Sequence, residues 1–456
     1  MNSLDAPGEP VTVHAPAGTI TGRHHGQVRR FLGIPYAQPP TGARRFAVPV
    51  PRGRFAEPYD ASRHGPTAQR VPLFATTTVP EPSVPGDDVL NLGVVAPAAD
   101  DDRGPFPVMV WIHGGGFLAG SPASPWYDGR AFARDGVVCV TVGYRLGVDG
   151  FGVLDDVPTN LGLRDLLLAL DWVRENIAAF GGDPDRVTVA GQSAGGAAVL
   201  ALLSSPAGRG RFQRAVSMSG GFFEPRAVRA FLGRLGERLG VPATRAGFGT
   251  RGVADLQRAV LDLRDEGDDD ALVLGPFVGD DILPVPVAEG LAVHGHDVPL
   301  LLGATGDEFD SGPGPVHGAR ALGTRRTDTL FRAACPRAAA ARRAARAGTW
   351  LYSFEWPSPA LGGAAHCVDI PYFFDVLDAG GTTEALGTEP PQALATSMHA
   401  DLVAFLHGEE PAWACATGVP GDPAREYGRT GAPLVADTTG VFDPVVRPLP
   451  EAAGTC

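Results

Sequence analysis

The sequence predicts an α/β protein built on a doubly wound, mostly parallel sheet with helices on both faces. Residues 107–112 and 137–142 are continuous apolar runs, which are typical of strands buried on both faces of a parallel sheet. Residues 161–180 place apolar side chains at spacings of three and four, which indicates a helix with one buried face. Strands and helices therefore alternate along the chain, as this class requires.

The remaining elements follow the same alternation. A Gly-Gly-Asp-Pro segment at 181–184 ends the long helix, and a second helix is predicted from 194 to about 204. Short β-prone runs at 11–14, 31–36 and 89–95 predict an antiparallel edge over about 10–100. Further apolar runs predict strands at 187–190, 215–218, 298–302 and 350–354.

Length and composition exclude several classes of protein. The 456 residues allow a sizeable core, and we expect one domain over residues 1–456. The net charge of −13 opposes nucleic-acid binding, because phosphates need a concentrated basic face. All 38 cationic side chains are arginine, which excludes mechanisms that use a phosphate-loop or Schiff-base lysine. No glycine pattern or ligand spacing fits a dinucleotide or metal site, so we expect neither a cofactor nor a metal.

Cysteine usage and hydropathy predict a cytoplasmic protein. The five cysteines lie far apart and form no C-x-x-C pair, which is typical of a reduced chain. No apolar run reaches the roughly 18 residues that a membrane span requires, and the first residues do not resemble a secretion signal. The oligomeric state stays open.

Residues 191–195 read Gly-Gln-Ser-Ala-Gly and lie between a predicted strand and a predicted helix. The pattern G-x-S-x-G occurs often by chance, but the strand-turn-helix context is that of a nucleophile elbow. Glycines on both sides permit a tight turn that lifts the Ser193 hydroxyl above the sheet. Ser193 is therefore the candidate nucleophile.

A serine hydroxyl needs a base to remove its proton and an acid to orient that base. In proteins with this elbow, the acid and then the histidine follow the serine along the chain. The loop after the predicted strand at 298–302 carries Asp307, Glu308 and Asp310, and the loop after the next strand carries His366. These patterns favour His366 as the base and leave the three acids open.

Residues 113–117 read His-Gly-Gly-Gly-Phe and directly follow the predicted strand at 107–112. Glycines in this position let backbone N–H groups approach a reacting carbonyl and stabilise the oxyanion that develops on it. Another N–H group would come from Ala194, the residue after the nucleophile. The two segments together predict an oxyanion hole.

These ordered blocks resemble the type-B carboxylesterases, an esterase–lipase branch of the α/β-hydrolases that includes the cholinesterases and bacterial para-nitrobenzyl esterases. The similarity runs from about Phe31 to Phe374 and is tightest at 31–37 and 160–220. It implies the α/β-hydrolase fold and a serine carboxylesterase that hydrolyses small-molecule esters through an acyl-enzyme. The alternatives are an acyltransferase, lactonase or amidase with the same triad, or a catalytically silent binding protein of the same fold.

The resemblance also assigns roles that the spacing leaves open. It implies Glu308 as the acid, because residues 303–308 align with the family segment whose final glutamate belongs to the triad. It implies His366 as the base. Ser219 matches a family serine near the acid, where its hydroxyl would bond the carboxylate, and an ordinary strand-end serine is the alternative reading. The implied oxyanion donors are the amides of Gly115, Gly116 and Ala194.

Three departures from the family pattern bear on the site. Gln192 stands where the family usually has glutamate, and Phe309 stands where it usually has glycine. The interval between Glu308 and His366 is only 58 residues, which is shorter than usual. We therefore expect a reduced helical cover over about 310–348.

Overall fold

The computed structural model describes residues 8–73, 77–98, 103–225, 227–266, 273–309 and 327–443. Within these ranges the strands form one mixed sheet of 13 strands, in the order β1-β2-β3-β5-β7-β6-β8-β9-β10-β11-β12-β13, with β4 beside β2. The strands are β1 (Glu9–Ala15), β2 (Gly18–His25), β3 (Val28–Pro35), β4 (Tyr59–Asp60), β5 (Asn91–Pro97), β6 (Phe106–Ile112), β7 (Val138–Val142), β8 (Gly182–Gln192), β9 (Arg214–Met218), β10 (Leu300–Thr305), β11 (Thr349–Phe354), β12 (Pro423–Tyr427) and β13 (Val435–Thr439).

The centre of this sheet is parallel and its two sides are antiparallel, except that the short strand β4 lies parallel to β2. Strands β7, β6, β8, β9, β10, β11 and β12 are successive parallel neighbours. Strands β1, β2, β3, β5 and β7 pair antiparallel at one edge, and β13 pairs antiparallel with β12 at the other. The carboxyl ends of parallel strands all point the same way, so the loops after β6, β8, β9, β10 and β11 meet at that end of the strands. The predicted α/β class is confirmed.

Helices cover both faces of the sheet. They are α1 (Arg130–Arg134), α2 (Gly147–Phe151), α3 (Leu161–Asn176), α4 (Ala194–Ser204), α5 (Val228–Leu239), α6 (Arg245–Gly249), α7 (Val253–Asp265), α8 (Val287–Val293), α9 (Ala334–Ala341), α10 (Ile370–Phe373), α11 (Thr382–Leu386) and α12 (Gln392–His407). The 3₁₀ turns are Gly42–Arg44, Pro125–Tyr127, Ile177–Phe180 and Pro206–Gly208, and Thr327–Arg332 is a π-helical segment. In the described ranges, no helix combines the length and the apolar character needed to cross a bilayer.

Buried apolar side chains form one cluster on each face of the sheet. One cluster contains Leu163 and Leu170 of α3 together with Leu202 of α4. The other contains Phe132 of α1 and Phe405 of α12. The alternation of strands and helices therefore produces a sheet that is buried on both faces, as the continuous apolar strands predict.

Element boundaries differ from the sequence prediction where glycine or a tight turn intervenes. The helix predicted to end at residue 180 becomes 3₁₀ at Ile177–Phe180 and stops at Gly181, whose φ is 89°. Strand β8 begins at Gly182 instead of 187, and β10 begins at Leu300 instead of 298. The elements that the sequence did not predict include β2, β12, β13 and α12, all of which lie outside the strongest apolar runs.

The expected cover is described only in part. Asp310 and residues 310–326 lie outside the described residues. The rest of that interval holds the π-helical segment and α9, and β11 follows from Thr349. Buried Arg332 ties the segment to the sheet, because its guanidinium donates to Thr305 O at 3.2 Å and Ser353 Oγ at 3.0 Å.

A buried ion pair joins the loop after β7 to α3. Arg145 Nη2 lies 2.6 Å from Asp165 Oδ1, and Arg145 Nε lies 2.8 Å from Asp165 Oδ2. The side chains are only 3% and 0% exposed, so each charge depends on the other for compensation. The Arg145 amide also donates to Asp165 Oδ2 at 3.0 Å, which fixes where the chain leaves β7.

We expect Asp165→Asn to lower the free energy of unfolding by about 3–5 kcal/mol, because it leaves the buried Arg145 guanidinium without its counter-charge. Denaturant titration followed by circular dichroism measures the loss. The control is Asp155→Asn, which removes the partner of Arg229 at a site where Asp155 is 94% exposed. This variant should lose less than about 1 kcal/mol, and equal losses in the two variants would contradict the prediction.

Candidate active site

Ser193 lies in the sharp turn between β8 and α4. Its φ of 56° and ψ of −122° are unfavourable for a residue with a side chain. The Ser193 N–H donates to Met218 O at the end of β9 at 2.8 Å, which holds the turn against the neighbouring strand. Gly195 permits the close approach of α4 to β6, because a Cβ atom there would collide with the Ile112 carbonyl oxygen. The turn therefore has the geometry of a nucleophile elbow.

The loop after β6 brings backbone amides beside this turn. Gly115 and Gly116 have φ of 106° and 61°, in the region that favours glycine. Among the described residues, neither amide donates a hydrogen bond to a backbone carbonyl of a turn or loop. Ala194 is the first residue of α4, so its N–H has no acceptor within the helix. A Cβ atom on Gly114 would lie 3.1 Å from Ser193 Cβ, which places this loop directly against the elbow.

Tyr144 and His113 support the loop. Their rings stack with centroids 4.6 Å apart, and the Tyr144 hydroxyl donates to His113 O at 2.9 Å. His113 Nδ1 donates to Gly114 O at 2.8 Å. Burial lowers the pKa of His113 to about 4, so the ring is neutral at physiological pH. The loop is therefore held by neutral contacts.

Glu308 follows β10 and is fully buried, with 0% of its surface exposed. Its Oε1 accepts hydrogen bonds from Ser219 Oγ at 2.7 Å and from the Thr305 amide at 2.9 Å. Its other oxygen, Oε2, accepts from His366 Nδ1. All of these contacts join the ends of β9 and β10 to the loop after β11, and Ser219 makes the contact that the family resemblance implies.

His366 is held by backbone as well as by the carboxylate. Its amide donates to Glu308 O at 2.8 Å, and its side chain is 14% exposed. Burial lowers the pKa of His366, but Cys367 and Glu308 raise it, and the net pKa lies well above the ordinary value of 6.5 for histidine. Burial raises the pKa of the Cys367 thiol and leaves it uncharged at neutral pH, so we attribute the rise to Glu308.

The second imidazole nitrogen faces Gln192. Gln192 Nε2 lies 3.3 Å from His366 Nε2, where an amide N–H can donate to the unprotonated ring nitrogen. Among the described residues, Ser193 makes no hydrogen bond with His366. Such contacts are often loose in a free enzyme and tighten only when substrate binds. The sequence singled out Gln192 as a departure, but it contained no signal for this contact.

Phe309 and Phe331 are two further neighbours of His366 that the sequence analysis missed. Both ring centroids lie 4.9 Å from the imidazole centroid, at interplanar angles of 25° and 49°. Phe309 stands where the family usually has glycine. Phe331 lies 35 positions before His366, and no local pattern reports a contact between them.

The other acids of the loop have different surroundings. Asp307 Oδ2 accepts from the Ala364 amide at 2.7 Å, and the Asp307 amide donates to Ala364 O at 3.0 Å, so this residue joins two loops. Asp310 lies outside the described residues. The described ranges contain no group of three or more His, Cys, Asp or Glu side chains that is suited to a metal ion.

Several known proteins resemble this chain over much of its length. The sequence model of the family described as "Carboxylesterase family" matches residues 9–312. The chain is 35% identical over 414 residues to the para-nitrobenzyl esterase of Bacillus subtilis, an alignment that covers 79% of this chain and 82% of that protein. It is also 35% identical over 326 residues to carboxylesterase 3 of Homo sapiens, where it covers 65% of this chain and 55% of that protein.

Solved structures extend the similarity over nearly the whole chain. A structure of PNB esterase aligns with a TM-score of 0.82 and 29% identity, covering 96% of this chain and 99% of its own. A carboxylesterase of Geobacillus stearothermophilus aligns with a TM-score of 0.80 and 30% identity, covering 95% of this chain and 98% of its own. The resemblance inferred from sequence motifs is confirmed. The chain belongs to the carboxylesterase family and is a hydrolase that acts on carboxylic esters.

Proposed function

We propose that Ser193, His366 and Glu308 form the catalytic triad of a serine carboxylesterase. The observation that carries this proposal is the buried Glu308 carboxylate bonded to His366 Nδ1. A carboxylate in that position keeps the proton on Nδ1 and leaves Nε2 free to act as a base. The elbow at Ser193 supports the assignment, because Ser193 and His366 both lie beyond the carboxyl ends of the parallel strands.

The reaction then follows from the geometry. His366 Nε2 takes the Ser193 proton while Ser193 Oγ bonds to the ester carbonyl carbon, and the carbonyl oxygen becomes an oxyanion. His366 gives the proton to the alcohol oxygen as the ester C–O bond breaks. Water repeats both steps on the acyl-enzyme and releases the carboxylic acid and free Ser193. The oxyanion is stabilised in each half-reaction by the amides of Gly115, Gly116 and Ala194.

Ser219 acts on this reaction through the acid. Its hydroxyl donates to Glu308 Oε1, while the imidazole uses Oε2, so the two oxygens have separate partners. A carboxylate held at both oxygens cannot rotate away from His366. We therefore assign Ser219 a positioning role.

The substrate class follows from the family and its relatives. A para-nitrobenzyl esterase is among the similar proteins, so we propose that small-molecule carboxylic esters are the substrates and that aryl esters serve as probes. Transfer of the acyl group to an alcohol or amine, or opening of a lactone or amide, would use the same acyl-enzyme, and product analysis distinguishes these outcomes. A cytoplasmic location and the lack of a nucleic-acid partner stay predictions from the sequence.

We expect Ser193→Ala to reduce esterase turnover by at least about a thousandfold with no change in fold, because the variant lacks the nucleophile. Hydrolysis of para-nitrophenyl acetate measures the loss, and mass spectrometry should place a fluorophosphonate label on Ser193. The matched control is Ser397→Ala on α12, which should keep full activity. Labelling at another residue would sink the assignment of Ser193.

Glu308→Gln should be far more damaging than Asp307→Asn, because only Glu308 sets the tautomer of His366. We expect kcat/KM to fall about a thousandfold or more in Glu308→Gln and less than about tenfold in Asp307→Asn. Steady-state kinetics on one aryl ester gives both values. Asp310→Asn completes the series, and the assignment of Glu308 is wrong if this variant proves the most damaging of the three.

The midpoint of the acid limb in the pH profile of kcat/KM should lie above pH 6.5. His366 must be neutral to accept the Ser193 proton, so activity rises as pH passes through its pKa, and Glu308 raises that pKa. Glu308→Gln removes the carboxylate, so the limb of its residual activity should move to lower pH. A pH profile on a substrate without titratable groups tests both statements, and an unshifted limb in Glu308→Gln would show that the carboxylate does not raise the pKa of His366.

A further inference from the structure

The imidazole of His366 has close neighbours on its ring as well as at its nitrogens. Phe309 stacks on it with centroids 4.9 Å apart and planes 25° apart. Phe331 lies at the same centroid distance with a tilt of 49°, and the two phenyl centroids are 5.5 Å apart. The three rings therefore form a compact triangle, which we call the aromatic cluster.

The cluster is anchored independently of any substrate. Phe309 directly follows Glu308, whose carboxylate and carbonyl both bond His366. Phe331 precedes Arg332, whose guanidinium donates to Thr305 O at 3.2 Å and to Val441 O at 3.0 Å. The π-helical segment thus holds Phe331 against the imidazole, while the loop after β10 holds Phe309.

Aromatic rings favour the charged form of a neighbouring cation. The face of a phenyl ring carries negative electrostatic potential, and a cation within about 6 Å of its centroid gains roughly 0.5–1 kcal/mol at exposed sites and more when desolvated. His366 becomes an imidazolium when it takes the Ser193 proton. The titratable groups that face or influence the ring are the Glu308 carboxylate, the Cys367 thiol and the buried Asp369 carboxyl, and Gln192 faces it as a neutral amide.

We propose that Phe309 and Phe331 are positioning residues of the esterase reaction, which fix the plane of the His366 imidazole and stabilise its protonated form in the transition state. This inference rests on the proposed function, because it takes His366 as the base. Through Phe331, the π-helical segment Thr327–Arg332 would take part in the reaction. Phe309, which stands where the family usually has glycine, would also have a function in this chain.

The test replaces each phenyl ring by an aliphatic side chain of similar bulk. In Phe309→Leu and Phe331→Leu the imidazole stays covered but loses an aromatic face. We expect kcat to fall about three- to fivefold in each, with KM within about twofold of the parent. Since the protonated ring loses stabilisation in the free enzyme as well, the acid limb of kcat/KM should move down by roughly 0.3–0.7 pH unit.

Two further variants separate positioning from general packing. Phe331→Tyr keeps an aromatic face and should restore kcat and the position of the acid limb. Phe132→Leu on α1 is the matched control, because Phe132 is fully buried with its ring 4.7 Å from that of a different buried histidine, His399. This control should lose stability while kcat and the acid limb stay unchanged.

The outcomes decide between distinct explanations. A rise in KM with unchanged kcat and an unshifted limb would show that the rings only line the substrate pocket, and it would overturn the proposal. If Phe331→Leu does not fold, Phe331→Met makes the same test with an unbranched side chain. Turnover that survives in Ser193→Ala would refute the proposed function itself, whereas an inactive Ser193→Ala beside unaffected leucine variants would refute only the role of the aromatic cluster.

Discussion

The site depends on one buried carboxylate. Glu308 has no exposed surface, and a charge in such a place is stable only when its oxygens are paired. The pairing comes from three directions: the Thr305 amide at the end of its own strand, the Ser219 hydroxyl after β9 and the His366 imidazole after β11. Because these partners follow neighbouring strands, the parallel register of β9, β10 and β11 is a condition for the charged site as well as for the core.

The backbone is also strained where the chain leaves the carboxyl ends of these central strands. Ser193, Ser219 and Cys367 have φ of 56°, 46° and 76°, and each such residue costs about 1–3 kcal/mol. Hydrogen bonds to neighbouring strands hold two of these residues: the Ser193 amide donates to Met218 O of β9, and the Ser219 amide donates to Gly303 O of β10, both at 2.8 Å. The neighbouring strands therefore stabilise turns that an isolated segment would not keep.

Local signals predicted the parallel centre, the elbow and the glycine loop, since buried strands and tight turns leave short patterns in a sequence. The choice among Asp307, Glu308 and Asp310 needed the family resemblance, because the direction of a loop side chain depends on neighbouring strands. The contacts of Gln192 and Phe331 with His366 had no local signal, since they form only when distant segments pack together. Strands β12 and β13 have no clear signal in the sequence because polar residues interrupt their apolar pattern.

The side chain of Gln192 is neutral, and this affects the charges around His366. In the proposed reaction, attack by Ser193 would create an oxyanion and an imidazolium beside the Glu308 carboxylate. A carboxylate in place of Gln192, 3.3 Å from His366 Nε2, would raise the pKa of the imidazole further and favour the imidazolium in the free enzyme, where it cannot act as a base. The carboxamide adds no such charge. In the proposed mechanism, Glu308 on Nδ1 raises the basicity of His366, whereas Gln192 adds no charge at Nε2, the nitrogen that must accept the Ser193 proton.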